Sequence, residues 1–460
     1  MRIHVQGFRC HENTLIEVNS PITAFCGLNG TGKSTLLQLA AAAYQSPDTK
    51  AFKHYYIKNF MVVGTLDPNP FVDGAAVEYR FWQVNRSLKP LTISRNATTK
   101  RWQGYARRPE RHVFFAGAGL YLPKIEQRDF ITRHAHQLDI SEYAAVSDDN
   151  KSWTSRVLSQ SYEIILSNTV KYSGRSGKII SVERSGLKYS EAHMGYGEAR
   201  SQFLIGSLEL LPEKSLVLIE EPETSLHPSA QFEFGSYLVD VSRRRGHQIL
   251  LTTHSEFILE ALPSESSVYL HRKQNMIVAI AGLTPLRAKS LMAQGHVKAL
   301  HVLVEDKCAK GVLTEIIRKG DPVFLDSIGI HDVGSAEVIA TTVRALKNTG
   351  LPVAAVRDAD QTPIPRENIF KLPGTWPPEK ELFGCEAFKQ HVANVYGISL
   401  NDFTGGLTGV DHHEWFCRLA ERVNQDESAM ISEAARAYSG ALAETESSNL
   451  IDLLKEASRR

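Results

Sequence analysis

The chain has 460 residues, of which 42% are apolar and 22% are charged, a composition sufficient for two or three domains with ordinary buried cores. Its 52 basic and 51 acidic residues nearly balance, so any contact with nucleic acid has to come from a local basic face. The five scattered cysteines include no Cys-x-x-Cys pair, which argues against disulfides and a structural zinc site. The sequence has no apolar signal core and no stretch near the roughly 20 apolar residues of a membrane span. We therefore expect a cytoplasmic protein that does not enter a membrane.

The strongest motif of the first half is a complete P-loop, GLNGTGKS at residues 27–34. It follows an apolar strand at 22–26 and leads into a helical run at 35–44, as this motif requires. Its glycines let backbone N–H groups surround phosphate oxygens, Lys33 reaches the β- and γ-phosphates, and Ser34 offers a hydroxyl to Mg²⁺. The sequence therefore predicts an ATP-binding site formed by Gly27, Asn29, Gly30, Thr31, Gly32, Lys33, Ser34 and Thr35.

Two further strand ends complete the predicted ATPase. The apolar run 216–219 ends in Glu220 and Glu221, as a Walker B strand does. Glu220 suits a role in holding Mg²⁺ through water, and Glu221 suits polarisation of the attacking water. The strand-like run 249–253 leads to His254, which we interpret as a sensor of the γ-phosphate.

The order of these motifs makes residues 1–290 resemble an ABC-type ATPase head of the SMC-like and OLD group. The opening hairpin at 3–18 and an inserted mixed lobe at about 50–190 fit this resemblance. Residues 194–198 resemble the ABC signature, with Gly195 where serine is usual, and imply that Gly197 and Glu198 contact nucleotide. Residues 225–227 occupy the D-loop position. RecA-like and GTPase alternatives explain neither Gly197 and Glu198 ahead of the Walker B strand nor His254 after it. A transporter subunit is also an alternative, but it has no role for the inserted lobe or for the acidic residues of the second half.

The single P-loop and single signature also bear on assembly. In the ABC arrangement, each nucleotide lies between the P-loop of one head and the signature of another. The resemblance therefore implies a homodimer formed through the ATPase heads.

The second half has alternating strand and helix patterns that deliver three carboxylates. Glu305 follows the first strand, and Asp358 and Asp360 follow the last. We expect Asp358 and Asp360 to point to one side of an extended segment and to meet Glu305 at the carboxyl edge of a small parallel sheet. The predicted elements are strands at 301–304, 323–325, 328–333 and 353–356 and helices at 310–319 and 336–348.

This half resembles a TOPRIM domain, and the whole chain resembles an OLD-family ATP-dependent nuclease. The resemblance implies that Glu305, Asp358 and Asp360 bind metal and that an acid of the later segment joins them, with Glu379 preferred and Glu381 in reserve. A two-metal site with Mg²⁺ or Mn²⁺ is implied. The chain departs from the family at Asp306, where glycine is usual, and at Ala309, where many members have an acid.

Two other segments carry weaker signals. Residues 100–111 interleave basic and aromatic side chains, as a nucleic-acid surface does, but a solvated hairpin is favoured. Residues 411–414, Asp-His-His-Glu, contain metal-ligating residue types, yet adjacent histidines on a helix point in different directions, so a metal site there is disfavoured. Residues 396–460 have helical patterning.

The fold predicted from the sequence is therefore α/β: an ABC-type P-loop head at 1–290, a TOPRIM domain at 297–395 and a helical C-terminal segment at 396–460. The predicted function is a dimeric ATPase that gates a metal-dependent nuclease acting on nucleic acid in prokaryotic defence against phage. The alternative is an ATP-dependent sensor or scaffold with an inactive TOPRIM fold, which binds and regulates a partner effector protein or RNA.

Overall fold

A computed structural model describes residues 1–47, 53–83, 86–87, 90–122, 124–274, 276–294 and 297–459. The chain divides into two compact units, Met1–Ala288 and Lys289–Arg460. The predicted lobe bound at residue 50 lies outside the described residues.

The first unit combines strands and helices. Its strands are β1 (Arg2–Phe8), β2 (His11–Glu17), β3 (Ile22–Cys26), β4 (Phe71–Arg80), β5 (Trp82–Gln83), β6 (Arg86–Ser87), β7 (Leu91–Arg95), β8 (Trp102–Gln103), β9 (Val113–Ala116), β10 (Asp139–Ala145), β11 (Ile164–Tyr172), β12 (Arg175–Arg184), β13 (Leu187–Ser190), β14 (Leu216–Glu220), β15 (Gln248–Thr252), β16 (Ser267–Lys273) and β17 (Met276–Ala281). Its helices are α1 (Lys33–Ala41), α2 (Ile57–Phe60), α3 (Lys124–Gln127), α4 (Phe130–Arg133), α5 (Asp148–Leu158), α6 (Tyr196–Leu210), α7 (Pro228–Arg245) and α8 (Glu256–Ala261), and α9 (Pro285–Met292) crosses the boundary between the units.

A mostly parallel sheet carries the predicted ATPase motifs. Among the described residues its order is β17-β16-β3-β15-β14-β9, and β16, β3, β15, β14 and β9 run parallel. Strands β3, β15 and β14 are neighbours whose carboxyl ends lead to the P-loop, His254 and Glu221. Because parallel neighbours end at one edge, the fold brings three motifs together that are far apart in sequence.

An antiparallel sheet covers the other side of the P-loop helix. Its order within the described ranges is β2-β1-β4-β7-β8, and the predicted opening hairpin is confirmed as β1 and β2. Helix α1 buries Leu36 and Leu37 in one core with Val5 of β1 and Leu250 of β15. The two sheets therefore fix the helix that begins at Lys33.

A four-stranded antiparallel sheet, β10-β11-β12-β13, forms the mixed lobe in the part of the chain that the structure describes. Its small apolar cluster includes Tyr162 and Val182 of the lobe and Ala199 of α6. The lobe thus packs on the helix that carries the signature residues.

The second unit is a parallel sheet between helices. Its strands are β18 (Leu300–Val304), β19 (Ile328–Asp332), β20 (Val353–Arg357) and β21 (Ile369–Lys371), and its further helices are α10 (Lys307–Gly320), α11 (Pro322–Ser327), α12 (Ala336–Asn348), α13 (Pro378–Gly384), α14 (Glu386–Tyr396), α15 (Leu400–Gly405), α16 (Trp415–Val423), α17 (Glu427–Ala441) and α18 (Glu444–Ala457). The sheet order is β19-β18-β20-β21, and all its pairs are parallel.

Alternating residues of this sheet enter two separate cores, as the period of a strand requires. Val302 and Val304 pack with α10, α17 and α18 on one face. Leu303 packs with Ile339 and Val343 of α12 on the other. The C-terminal helices thus share a core with the sheet, and the predicted α/β class is confirmed.

The strand predicted at 323–325 is wrong, because these residues lie in α11. Asp321 caps this helix by accepting a hydrogen bond from Phe324 N at 2.9 Å, and Pro322 occupies its first turn. Phe324 is fully buried. A capped start with proline at N1 favours a helix over a strand.

Among the described residues, no helix combines the length and the apolar character needed to cross a membrane.

Candidate nucleotide site and carboxylate cleft

The P-loop has the backbone that its glycines predict. Gly27, Gly30 and Gly32 have φ of 140°, 76° and 82°, in a region that side chains disfavour. A Cβ on Gly27 would lie 2.6 Å from Leu270 O, so the loop also passes too close to β16 for a larger residue. Asn29 and Gly30 are exposed at its tip, where a phosphate can approach.

Lys33 lies folded over this loop. Its Nζ donates to Gly27 O at 2.9 Å and to Leu28 O at 3.0 Å. Burial lowers the pKa of Lys33, and the carboxylate of Glu221 opposes this shift. The ammonium group is therefore held at the P-loop, close to the Walker B acids.

The other P-loop residues divide between solvent and core. Ser34 is exposed, as a hydroxyl that binds Mg²⁺ has to be, whereas Thr35 is buried. Thr31 Oγ1 donates to Leu28 O at 2.9 Å and so closes the loop. Ser34 is thus accessible to a ligand, whereas Thr31 closes the loop and Thr35 lies in the core.

Glu220 ends β14 with one oxygen bound and the other free for a ligand. Its Oε2 accepts a hydrogen bond from Ala118 N at 3.0 Å. Its Oε1 is buried and has no hydrogen-bond partner among the described residues. Since an unpaired buried carboxylate oxygen is costly, this atom fits a hydrated Mg²⁺ ion.

Glu221 has a strained backbone that aims it at the same edge. Its φ of 44° is in the left-handed region, which residues with a side chain disfavour. Its N–H donates to Thr252 O at 3.0 Å, and its exposed carboxylate lies 3.9 Å from His254 Nε2. Burial, followed by the charge of Lys33, lowers the pKa of His254. Glu221, His254 and Lys33 thus form one group.

Two residues that the sequence did not single out hold this group in place. Glu223 accepts hydrogen bonds from Thr253 Oγ1 at 2.8 Å and His254 N at 2.7 Å, and burial raises its pKa. Buried Arg200 donates to Glu221 O at 2.7 Å and to Glu220 O at 2.8 Å. In the sequence, the only feature that marks Arg200 is its position two residues after Glu198.

The signature residues lie at the start of α6. Glu198 Oε1 accepts hydrogen bonds from Tyr162 at 2.7 Å and Tyr189 at 2.8 Å. A Cβ on Gly197 would overlap the carbonyl oxygen of Ser225 in the D-loop segment. Gly197 therefore permits close contact between the signature helix and the segment that follows Glu221.

This contact predicts a specific effect of Gly197→Ala. We expect the variant to lose about 1–3 kcal/mol of stability, because a methyl group forced into a packed site costs this amount. Gly206→Ala in the same helix is the matched control, since its Cβ would meet its nearest neighbour, Asn150 Nδ2, at an ordinary 3.6 Å and alanine favours a helix interior. Urea unfolding of both variants checks the difference, and equal stabilities would contradict it.

The second unit places three of the predicted carboxylates, Glu305, Asp358 and Glu379, around a cleft of about 580 Å³. Glu305 follows β18 and is half-buried, and its Oε1 accepts a hydrogen bond from Asp358 N at 3.3 Å. Asp358 follows β20 and is only 6% exposed, and its Oδ1 has no hydrogen-bond partner in the described residues. The acidic or imidazole side chains lining the cleft among the described residues are Glu305, Asp306, Asp332, Asp358, Glu379, His413 and Glu427.

Burial and mutual repulsion shift the ionisation of these acids. Burial, followed by the charges of Glu305 and Asp306, raises the pKa of Asp358 to about 8. Burial also raises the pKa of Glu305, and the charges of Asp306 and Asp360 add to that shift. A cluster of this kind retains a proton near neutral pH unless a cation neutralises it.

The expectation that Asp358 and Asp360 share one side of an extended strand is wrong. Strand β20 ends at Arg357, and residues 358–361 form a turn in which Gln361 N donates to Asp358 O at 3.0 Å. Asp358 is therefore buried and Asp360 is exposed. Asp360 still acts on the cleft through its charge, which raises the pKa of Glu305 and of Asp358.

The structure separates Glu379 from Glu381. Glu379, in the first turn of α13, is 3% exposed, and its Oε1 lies 3.3 Å from His413 Nδ1. Glu381 turns to the backbone instead and accepts hydrogen bonds from Thr375 N at 2.7 Å and Trp376 N at 2.9 Å. Glu379 is thus the acid placed in the cleft, and Glu381 caps the preceding loop.

Asp306 and the pair His412 and His413 have positions in the structure that the sequence did not predict. Asp306 caps α10 by accepting from Ala309 N at 2.8 Å and also lines the cleft. His412 and His413 lie in a 3₁₀ turn with ring centroids 4.2 Å apart. The expectation that these rings point apart, drawn from α-helix geometry, is therefore wrong.

The basic and aromatic segment at 100–111 is largely structural. Trp102 stacks on Phe8 with ring centroids 5.7 Å apart. Buried Arg108 donates to Tyr55 O at 2.8 Å and to Tyr44 O at 3.1 Å. These contacts favour the hairpin interpretation over a nucleic-acid surface.

Comparison with known proteins gives a family match and a distant curated relative. The family described as "AAA domain, putative AbiEii toxin, Type IV TA system" matches residues 80–260, a segment that includes α6, Glu221 and His254. Protein ea59 of Escherichia phage lambda is 22% identical over 254 residues, or 53% of this chain and 47% of ea59. The chain thus spans about half the length of this curated relative.

Two solved structures illustrate the structural similarities. The SMC head domain from Thermotoga maritima is 16% identical with a TM-score of 0.36, and the alignment covers 61% of this chain and 97% of that domain. The C-terminal region of the OLD protein of Xanthomonas campestris pv. campestris is 14% identical with a TM-score of 0.25, and the alignment covers 35% of this chain and 97% of that region.

The P-loop, the acids at the ends of parallel strands and the matched AAA segment agree with one another. Residues 80–260 are therefore similar to the AAA domain that this family describes, and the P-loop that precedes them supports an ATPase.

Proposed function

We propose that this protein is a dimeric ATPase whose nucleotide state controls a metal-dependent TOPRIM nuclease in the second unit. The observation that carries the proposal is the cleft of buried acids at the carboxyl edge of a parallel sheet. Glu305, Asp358 and Glu379 lie there, and Asp358 Oδ1 and Glu379 Oε2 have no hydrogen-bond partner in the described part of the chain. Unpaired carboxylate oxygens in a solvent-open cleft are what divalent cations bind.

The donor set favours Mg²⁺ or Mn²⁺ as the cations of this cleft. Both ions prefer carboxylate and water oxygens. Several acids are required to neutralise two such ions, which together activate water and stabilise the leaving oxygen of a phosphodiester. Glu305, Asp358 and Glu379 would hold the metal, and Asp360 would contribute its charge from the rim. Nucleic acid is therefore the proposed substrate.

The ATPase roles follow from the first site. Lys33 binds phosphate, Ser34 and Glu220 hold Mg²⁺, Glu221 orients and polarises the attacking water, and His254 contacts the γ-phosphate. Glu220 Oε1, which has no hydrogen-bond partner among the described residues, and the position of the exposed Glu221 carboxylate 3.9 Å from His254 Nε2 support these roles.

The proposed assembly is a homodimer through the ATPase domains. The chain has a single P-loop and a single signature, and an ABC-type nucleotide site takes one from each of two heads. In this arrangement the start of α6, at Gly197 and Glu198, faces the nucleotide of the second copy. ATP binding then closes the dimer, and closure alters access to the cleft.

The proposed setting is prokaryotic defence against phage. It rests on the resemblance of the sequence motifs to those of OLD-family nucleases, and the description of the matched family names a "putative AbiEii toxin, Type IV TA system". A nuclease used in this way has to be restrained, and an ATP-dependent gate provides such restraint.

A cleavage assay on purified protein tests the proposal. Labelled plasmid, single-stranded DNA and RNA are incubated with Mg²⁺ or Mn²⁺, with and without ATP, and we expect metal-dependent cleavage whose rate responds to ATP.

Asp306 and Ala309 depart from the family pattern at this cleft, and this observation favours a second candidate, an ATP-dependent scaffold that regulates a partner effector protein or RNA. Normal ATP hydrolysis without cleavage of any substrate would favour that candidate.

A further inference from the structure

The carboxylate cleft continues into a group of different chemistry. Glu379, His412 and His413 each offer one ligand atom, and these atoms all lie within 4.8 Å of one another. Glu379 comes from α13, and both histidines come from the 3₁₀ turn at His412–Glu414. Two separate elements thus bring two imidazoles and one carboxylate together.

Contacts within this group indicate that it is built and not accidental. Glu379 is 97% buried, its Oε1 lies 3.3 Å from His413 Nδ1, and its Oε2 has no hydrogen-bond partner in the described residues. Asp411 caps the turn by accepting a hydrogen bond from His413 N at 3.1 Å. A buried carboxylate oxygen therefore remains unpaired beside two imidazole rings that the turn holds together.

We propose that Glu379, His412 and His413 bind one divalent transition-metal ion of the Zn²⁺ class. Imidazole nitrogen suits Zn²⁺ and its neighbours in the first transition row, whereas Mg²⁺ requires oxygen ligands. Three protein ligands leave a coordination position open, as in catalytic zinc sites. The cleft would then contain an oxygen-rich position at Glu305 and Asp358 and a nitrogen-containing position at His412 and His413, with Glu379 as a ligand shared by the two. This inference concerns metal binding and does not depend on cleavage of nucleic acid.

Co²⁺ is the probe for this site, because it replaces Zn²⁺ and has a visible spectrum that reports nitrogen ligands. Full-length protein is freed of metal with a chelator and titrated with Co²⁺, and bound metal is counted by equilibrium dialysis. We expect His412→Ala and His413→Ala each to weaken Co²⁺ binding by more than about tenfold, since even partners outside a ligand set contribute 10- to 100-fold. His391→Ala is the matched control, because His391 lies in the same unit and pairs with Glu433 at 3.1 Å.

Two further variants separate the possible outcomes. His412→Gln replaces the imidazole with a polar side chain, and so tests whether a loss of Co²⁺ binding in His412→Ala comes from misfolding. Urea unfolding checks that each variant is folded. Asp358→Asn should retain the Co²⁺ spectrum, because Asp358 belongs to the oxygen-rich position. Wild-type affinity for Co²⁺ in both folded histidine variants would overturn the inference. Loss of cleavage with Co²⁺ binding intact would count against the proposed nuclease and not against this site.

Discussion

Glu221→Gln is expected to lower ATP hydrolysis by about 10²- to 10⁴-fold, the range that a positioned general base contributes. The glutamine keeps the size of the side chain and leaves the hydrogen bond from residue 221 N to Thr252 O intact. ATP binding should remain, because Lys33 and the P-loop backbone are unchanged. Phosphate release and nucleotide binding, measured on the same protein, check both parts of this expectation.

Two further variants serve as controls for the effect of Glu221→Gln on ATP hydrolysis. Lys33→Ala should abolish ATP binding itself, because it removes the ammonium group held at the P-loop. Glu213→Gln, at an exposed glutamate, should hydrolyse ATP as the wild type does. Wild-type turnover in Glu221→Gln would contradict the role of Glu221.

Asp358→Asn is expected to abolish metal-dependent cleavage and to change how stability depends on pH. The ordinary carboxyl pKa of 3.8 is raised to about 8 in the folded protein. Between these values the folded state retains a proton that the unfolded state has released. The free energy of unfolding of the metal-free protein should therefore fall as pH rises from about 4 to about 8, by at most about 1.4 kcal/mol per pH unit for one proton.

Asparagine does not titrate, so Asp358→Asn should make this decline shallower. Some slope should remain, since the raised pKa values of Glu305 and Glu379 act in the same direction. Mg²⁺ should stabilise the wild type most above about pH 8, where the acids are charged, and should stabilise the variant less. Urea unfolding from pH 4 to 9, with exposed Asp326→Asn as the control, measures these differences. Identical pH profiles for the wild type and Asp358→Asn would refute this account of the cleft.

The ATPase motifs were predictable because their signals are local. A P-loop between a strand and a helix, and an acid after an apolar run, fix both the element and the position of the side chain. Lys33, Glu221 and His254 therefore lie together in the structure as expected. The same argument placed Glu305 and Asp358 at one sheet edge.

Features that depend on contacts between distant segments escaped sequence analysis. Arg200 binds the carbonyl groups of residues 220 and 221, and no local pattern marks an arginine for that role. The burial of Glu379 depends on where α13 packs. The closeness of the two imidazoles at 412–413 depends on a 3₁₀ turn that a helical periodicity does not reveal.

The rate of nucleic-acid cleavage with and without ATP tests most directly the proposed control of the carboxylate cleft by the ATPase. In wild-type protein with Mg²⁺ or Mn²⁺, we predict that ATP changes this rate and that the change fades as ATP is hydrolysed. In Glu221→Gln, the same change should persist, because bound ATP is not consumed. Equal cleavage rates with and without ATP in both proteins would contradict the account.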